Sequence, residues 1–221
     1  MKNRTFSALT VAAFLAASAA LVGCSKQAPE QGEQKTSAPA SDVIKIGVFQ
    51  PLTGANSAGG ADELEGIKLA NKLYPTALGK KVELVIVDNK SDKVEAANAA
   101  TVLTQKEKVN AVLGSWGSSL SMSGGPIFAE AKIPAVALSA TNPNVTKGNE
   151  YYFRVCFLDP FQGTVGAAYA YNTLKAKKVA IIREVSNDYS VGLTKFFVDN
   201  FVKLTGDDNA VVATADYNTG D

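Results

Sequence analysis

The feature that most restricts what this chain can fold into is its alternation of short apolar runs with longer stretches of helical periodicity. Ile44 to Gln50, Val82 to Asp88, Ala111 to Gly114 and Ala135 to Leu138 read as strands buried on both faces, the pattern of a parallel sheet covered by helices. In the gaps, Leu64, Ile67, Ala70 and Tyr74 fall on one side of a helical wheel, and Val94, Ala97, Ala100 and Leu103 on another. Strand, helix and strand in repetition make an α/β protein with a parallel sheet. A second series follows: a helix from Phe161 to Lys175, a strand Lys178 to Arg183, a helix carrying Leu193, Phe197, Phe201 and Leu204, and a strand Ala210 to Ala215. Two lobes are expected, an N-terminal one over 43–159 and the start of a C-terminal one over 160–221. The second has too few elements for a closed core and is expected to be truncated. A compact single domain ending at Asp221 is the alternative, and it leaves the last strand at an uncapped sheet edge.

The N-terminal region stands apart from this pattern. Lys2 and Arg4 precede an uncharged apolar run from Phe6 to Val22, the design of a signal peptide. The run ends at Leu21-Val22-Gly23-Cys24, which resembles the lipobox of bacterial lipoproteins. That resemblance implies that residues 1–23 are a lipoprotein signal peptide and that Cys24 is lipidated; an ordinary cleaved signal or an uncleaved anchor is the alternative. Each buried acyl methylene contributes ~0.8 kcal/mol, so such chains hold a protein at a membrane without a spanning helix. The folded part is then extracytoplasmic and lipid-anchored to a bacterial cell membrane. Residues 24–42 have almost no bulky apolar side chain and are expected to form a disordered linker, either a tether that reaches a membrane partner or a spacer.

Charge and residue usage exclude several functions. Lys and Arg total 22 against 21 Asp and Glu, dispersed along the chain, so neither a phosphate-tracking stripe nor nucleic-acid binding is expected. Histidine is absent, so no Ser–His or Cys–His pair can form, and Gly114-Ser115-Trp116-Gly117-Ser118 is not a nucleophile elbow. No enzyme is expected, and no cofactor. The remaining acidic groups, Asp88, Asp92 and Asp207-Asp208, read as loop charges and not as a metal site. With Cys24 lipidated, Cys156 has no partner; it lies in the apolar run Tyr151 to Leu158 and reads as a small buried hydrophobe.

Two strand ends stop in clusters of small hydroxyl residues, Gly114 to Ser119 and Ser139 to Pro143. In an open α/β sheet the carboxyl ends of the strands face a crevice, and the helix starts beside it offer unpaired N–H groups to an anion. A small ligand is expected there. Ser118 and Ser119 can serve it or cap the helix they begin. Ser139 and Thr141 can serve it or belong to a turn at Asn142-Pro143. Trp116 can line a side-chain pocket or be half-buried structure, and Tyr189 can be a lid or surface packing.

The run Gly47-Val48-Phe49-Gln50-Pro51-Leu52-Thr53-Gly54, then Gly60, Gly66 and Leu69-Ala70, then both hydroxyl clusters, Arg154, Asp159 to Gly163 and Asn187-Asp188-Tyr189 occur in an order that resembles the leucine/isoleucine/valine-type binding proteins. These are solute-binding components of ABC importers with a type I periplasmic-binding-protein fold, two Rossmann-like parallel-sheet lobes that close on a ligand. The resemblance implies a ligand carboxylate on Ser118, shared with Ser119. It also implies a cradle at Ser139, Ala140 and Thr141 for the ammonium and carboxylate, and a lid at Tyr189. It implies a small amino acid as ligand, ABC permease subunits as partners, the membrane reached through the lipid, and a monomer. A sensory receptor for amides, urea or amino acids on the same fold is the alternative. Gly59 departs from relatives that carry an aromatic or polar contact in that loop, and Ser91 and Gly117 stand where some have a disulfide. The acidic partner that the resemblance implies for the ammonium falls beyond Asp221, so this chain is expected to bind weakly or not at all.

Overall fold

The computed structural model describes residues 42–221, and the expected signal peptide, Cys24 and all but the last residue of the expected linker lie outside the described residues. The first part is built around β1 (Val43–Gln50), which pairs in parallel with β3 (Lys80–Asp88) on one side and β4 (Ala111–Gly114) on the other. β5 (Ala135–Ala137) and β6 (Tyr152–Arg154) continue the parallel sheet beyond β4. The two-residue β2 (Thr76–Ala77) adds antiparallel to β3, giving the order β2-β3-β1-β4-β5-β6. Three helices make the crossovers: α1 (Ser57–Leu73), α2 (Lys93–Thr101) and α3 (Ser118–Glu130). The second part holds α4 (Asp159–Ala168), β7 (Val179–Glu184), α5 (Asp188–Thr205) and β8 (Val211–Tyr217), with β7 and β8 parallel in a separate sheet.

The larger core lies between the sheet and the pair α2 and α3. Phe49, Val112, Ala135 and Ala137 of the strands meet Ala96, Ala99, Ala100, Leu120 and Phe128 of the helices. Alanine along α2 brings its backbone close, and Phe128 fills the space with edge-to-face contacts to Phe49 at 5.3 Å and Tyr152 at 6.1 Å. A smaller cluster of Val48, Leu64 and Ile67 lies under α1 on the opposite face. Phe201, Ala167 and Ala210 form the core of the second part.

The α/β architecture follows the sequence expectation, with differences in detail. β3 is not buried on both faces: its burial alternates and Ile86 is 41% exposed, because α1 alone covers that face of the sheet among the described residues. For the same reason only Leu64 and Ile67 of the α1 stripe are buried, while Ala70 and Tyr74 face outward. On α2 the inward stripe runs through Ala96, Ala99, Ala100 and Leu103, and Val94 is exposed. Of the expected stripe on α5, Phe201 is fully buried and Leu204 lies exposed. Each of the helices α2 and α4 ends in a π-helical turn, Val102–Lys106 and Tyr169–Thr173, so the helix expected over Phe161 to Lys175 begins earlier and changes pitch before its end. Cys156 is only partly buried, because β6 is an edge strand, and its Sγ lies 3.6 Å from the Ala140 carbonyl. No helix among the described residues is long and apolar enough to cross a membrane.

Phe128 is fully buried at the meeting point of three aromatic rings. Phe128→Ala is expected to cost about 3–5 kcal/mol of unfolding free energy, read by urea denaturation, as the cavity it leaves cannot collapse between two rigid rings.

Candidate functional site

The carboxyl ends of β4 and β5 open on one cleft of about 250 Å³, lined by Trp116, Ser118, Ser139, Thr141, Gln162 and Tyr189 among others. The loop after β4 turns sharply at Gly114, whose φ is +114° and where a Cβ would lie 2.4 Å from the Phe49 carbonyl, so only glycine fits. The chain then enters α3 through Gly117, which supplies no capping side chain. Ser118 is therefore the first helical residue, not the cap, and the opening N–H groups of α3 have no intrahelical acceptor. The Ser118 hydroxyl is 1% exposed and accepts from the Asn142 N–H at 3.1 Å, which ties the two hydroxyl clusters together and leaves its own proton free to donate.

The second cluster is held from behind. Arg154 on β6 donates to the carbonyls of Ala140 at 2.7 Å and Asn142 at 3.0 Å, and to the Thr146 hydroxyl at 2.9 Å. Asn142 caps the short 3-10 turn Pro143–Val145 by accepting from the Asn144 N–H at 2.9 Å, so the turn and the cleft wall are one structure. Ser139 donates to the Glu63 carboxylate, and Glu63 also accepts from Gln50 Nε2 at 2.7 Å. The other end of the buried Gln50 amide accepts from the Trp116 N–H at 2.6 Å. Burial raises the pKa of Glu63 above the usual carboxylate value, against the pull of its bonds to Ser139 and Gln50. Because its proton goes to Glu63, Ser139 presents lone pairs outward. The cleft thus has a donor end at Ser118 and the α3 N-terminus, and an acceptor end at Ser139 backed by an acidic side chain.

The wall from the second part comes from α4 and the N-terminus of α5. Tyr189 accepts through its hydroxyl from Gln162 Nε2 at 2.9 Å. Ser119 faces away from the main cleft: it donates to Asp188 Oδ2 at 2.7 Å and accepts from the Asp188 N–H at 2.9 Å. Lys93 Nζ reaches the same carboxylate at 3.0 Å, and Asn142 Nδ2 donates to the Asp188 carbonyl at 2.9 Å. Burial works to raise the Asp188 pKa, but the Ser119 hydroxyl and the Lys93 ammonium outweigh it and hold the carboxyl below its usual range.

Trp116, Ser118, Ser139, Thr141 and Tyr189 therefore meet on one cleft, while Ser119 joins the two parts and Ala140 sits behind the wall with its carbonyl on Arg154. Sequence reasoning missed Gln50, Glu63, Gln162 and the positioning role of Arg154. Glu63 sits on α1, 76 positions before Ser139, with no local pattern to mark it. The loop acids have structural duties: Asp88 accepts from the Leu52 N–H at 2.8 Å and the Thr53 hydroxyl at 2.6 Å, and Asp92 caps α2. Among the described residues no group of three or more His, Cys, Asp or Glu is placed to hold a metal ion.

A family model described as periplasmic binding protein matches residues 43–221. An amino acid binding protein of Pseudomonas aeruginosa is 37% identical over 157 residues, covering 69% of this chain and 41% of its own length. A solved leucine binding protein, LivK of Thermotoga maritima, superposes with a TM-score of 0.77 at 45% identity, covering 80% of this chain and 50% of that one. LivJ of Streptococcus pneumoniae, a branched-chain amino acid transporter substrate binding protein solved with isoleucine, gives 0.74 at 33% identity and covers 81% and 51%. The chain thus spans about two-fifths of the length of the P. aeruginosa protein and half that of the solved structures.

Gly59 and Trp116 form a pair that sets the cleft rim, since a Cβ at Gly59 would lie 2.3 Å from the indole. Gly59→Ala is expected to displace the ring, and because Trp116 is the sole tryptophan, a changed emission maximum with unaltered far-ultraviolet circular dichroism reads this out directly. Asp188 generates a second expectation. Its lowered native pKa means that the contribution to stability is complete above the ordinary carboxylate pKa of ~3.9 and is lost as pH falls through the native value. The difference in urea midpoint between the wild type and Asp188→Asn is expected to stay constant from neutral pH to about 4 and to shrink below it.

Proposed function

The chain belongs to the periplasmic binding protein family, and from that premise we propose that it is the extracytoplasmic solute-binding component of an ABC importer, taking a branched-chain or similar small amino acid into the cleft and delivering it to a membrane permease. The observation that carries this reading is the polarity of the cleft. A carboxylate suits the Ser118 hydroxyl and the open N-terminus of α3, and an ammonium suits the lone pairs of Ser139 in the field of Glu63. Thr141 stands beside them with a buried hydroxyl. Trp116 and Phe157 supply apolar lining for an aliphatic side chain, and Tyr189 covers it from the opposite wall.

The relatives support the same class of solute, since LivJ of S. pneumoniae was solved with isoleucine and LivK of T. maritima is described as a leucine binding protein. The family is one of binding proteins, and its periplasmic setting agrees with an exported chain. In this reading residues 1–23 are a lipoprotein signal peptide, Cys24 carries the lipid and residues 24–42 tether a monomer whose lobes are 43–159 and 160–221. Ser119 serves closure through Asp188, and Ala140 serves the site by fixing the cradle.

Titration of leucine, isoleucine and valine, followed by Trp116 fluorescence and calorimetry, tests the reading. Saturable binding of at least one is expected, and Ser118→Ala is expected to weaken it about 10- to 100-fold, the worth of a hydrogen bond to a charged group. Binding that ignores the loss of Ser118 would remove the carboxylate assignment.

A further inference from the structure

The end of the sheet opposite the cleft carries an exposed apolar tip. β1, β3, β4, β5 and β6 run in parallel, so the cleft lies at their carboxyl ends and the turn joining β2 to β3 lies at their amino ends. Leu69 and Leu73 near the end of α1 are exposed, as are Tyr74 just after it, by 76%, and Leu78 at the turn, by 94%. Backbone bonds brace the segment. The Tyr74 N–H donates to the Ala70 carbonyl at 2.8 Å and the Val82 N–H to the Pro75 carbonyl at 2.8 Å, while Thr76 and Ala77 pair with Lys81 and Lys80. Leu78 and Gly79 have φ of +52° and +75°, the two central positions of a tight hairpin turn that favours Asn, Asp or Gly. A leucine there crowds a left-handed backbone and leaves its side chain in water, so it is kept at two costs.

Lysines frame this tip. From Lys68 to Lys81 the chain has four lysines and no acidic residue. Lys68 pairs with Glu65 at 2.8 Å, while Lys72 and Lys81 are exposed and form no ion pair among the described residues. Asp42 and Glu83 lie near Lys81 along the strands and temper its charge, so the apolar groups must supply part of any attraction. Exposed Leu and Tyr framed by lysine suit the headgroup layer of a membrane: the apolar groups enter it and the ammonium groups stay level with anionic phosphates. The described chain also begins here, since Val43 is in register with Lys81. Asp42 stands 18 positions after Cys24, a length that spans at most about 60 Å. A lipid on Cys24 therefore keeps this pole close to the bilayer and raises its effective concentration there.

We propose that the segment joining α1 to β3 is a docking surface for an anionic lipid bilayer, with Leu73, Tyr74 and Leu78 as apolar contacts and Lys72 and Lys81 as cationic ones. This rests on the reading of Cys24 as lipidated and goes beyond it, because a lipid alone leaves the folded part free to turn over. Docked in this way, the chain holds its cleft away from the membrane, toward the solution that brings the solute. Delivery to a permease then requires the tip to let go, so the charge of the membrane sets how long the chain stays in the receiving orientation.

The test places a polarity-sensitive dye on Leu78→Cys in a Cys156→Ser background of the full chain, purified from bacterial membranes. The chain is reconstituted in vesicles of phosphatidylglycerol and phosphatidylcholine in equal parts, or of phosphatidylcholine alone. A blue-shifted emission quenched by brominated lipid is expected on the anionic vesicles and not on the neutral ones. The same dye on Ala55→Cys, exposed in the loop after β1 at the cleft end, is expected to stay unshifted. Lys72→Gln combined with Lys81→Gln is expected to lower the ratio of docked to free chain about 30-fold, near 5-fold for each lysine. No shift on anionic vesicles, an equal shift on neutral ones or in the double variant, or a shift at residue 55 as well would overturn the proposal. So would a shift that grows with protein concentration in detergent, which assigns the tip to a second copy. The mass of the purified chain reports the lipid separately. If Cys24 carries none, the anchor reading fails, and flotation of the unlipidated chain with the same vesicles decides the tip: flotation with anionic vesicles that the double variant loses supports it, and flotation that the double variant keeps, or none, overturns it.

Discussion

The cleft depends on a single guanidinium. The segment from Ser139 to Thr146 is mostly irregular, yet Ala140, Thr141, Asn142 and Val145 in it are buried, and buried backbone carbonyls must find donors. Arg154 supplies them from the edge strand β6, with its planar fork spanning the Ala140 and Asn142 carbonyls. Fixing those carbonyls fixes the Asn142 N–H, which in turn locates Ser118 across the cleft and through it the start of α3. A lysine could not serve here, since one ammonium does not reach two carbonyls and a hydroxyl in a fixed plane.

The strand and helix order was legible because a parallel sheet with crossover helices leaves two distinct periods in the sequence. Apolar period alone could not say how well each face would be covered. Ile86 and Tyr74 look like core residues on a wheel or a strand, and their exposure depends on which helices pack against the second face of the sheet. β2 and β6 were missed because two or three residues carry no period at all.

At the site, the hydroxyl clusters were legible because strand ends and turn residues are local signals. What was not legible is the support beneath them. Gln50 ends the run read as a buried strand, and its buried amide joins the Trp116 backbone to Glu63. Glu63 is marked by no local pattern on α1, yet with Ser139 it gives the cleft its acceptor end. Gly59 read as a gap where relatives have a contact, and the fold fills that gap from another direction with the Trp116 ring. Each of these depends on residues far apart in the chain, which no window of sequence displays.

The Ser119, Lys93 and Asn142 contacts to Asp188 are made entirely by protein atoms, so the two walls of the cleft hold each other without help from a solute. Parting them means breaking that set, and under the proposed function the same rupture stands in the way of a solute arriving and a solute leaving. Uptake and escape therefore share one barrier. A looser latch would quicken both directions together and move the equilibrium much less, so the lifetime of the loaded state can be tuned at Ser119 and Asp188 without touching the groups that recognise the solute.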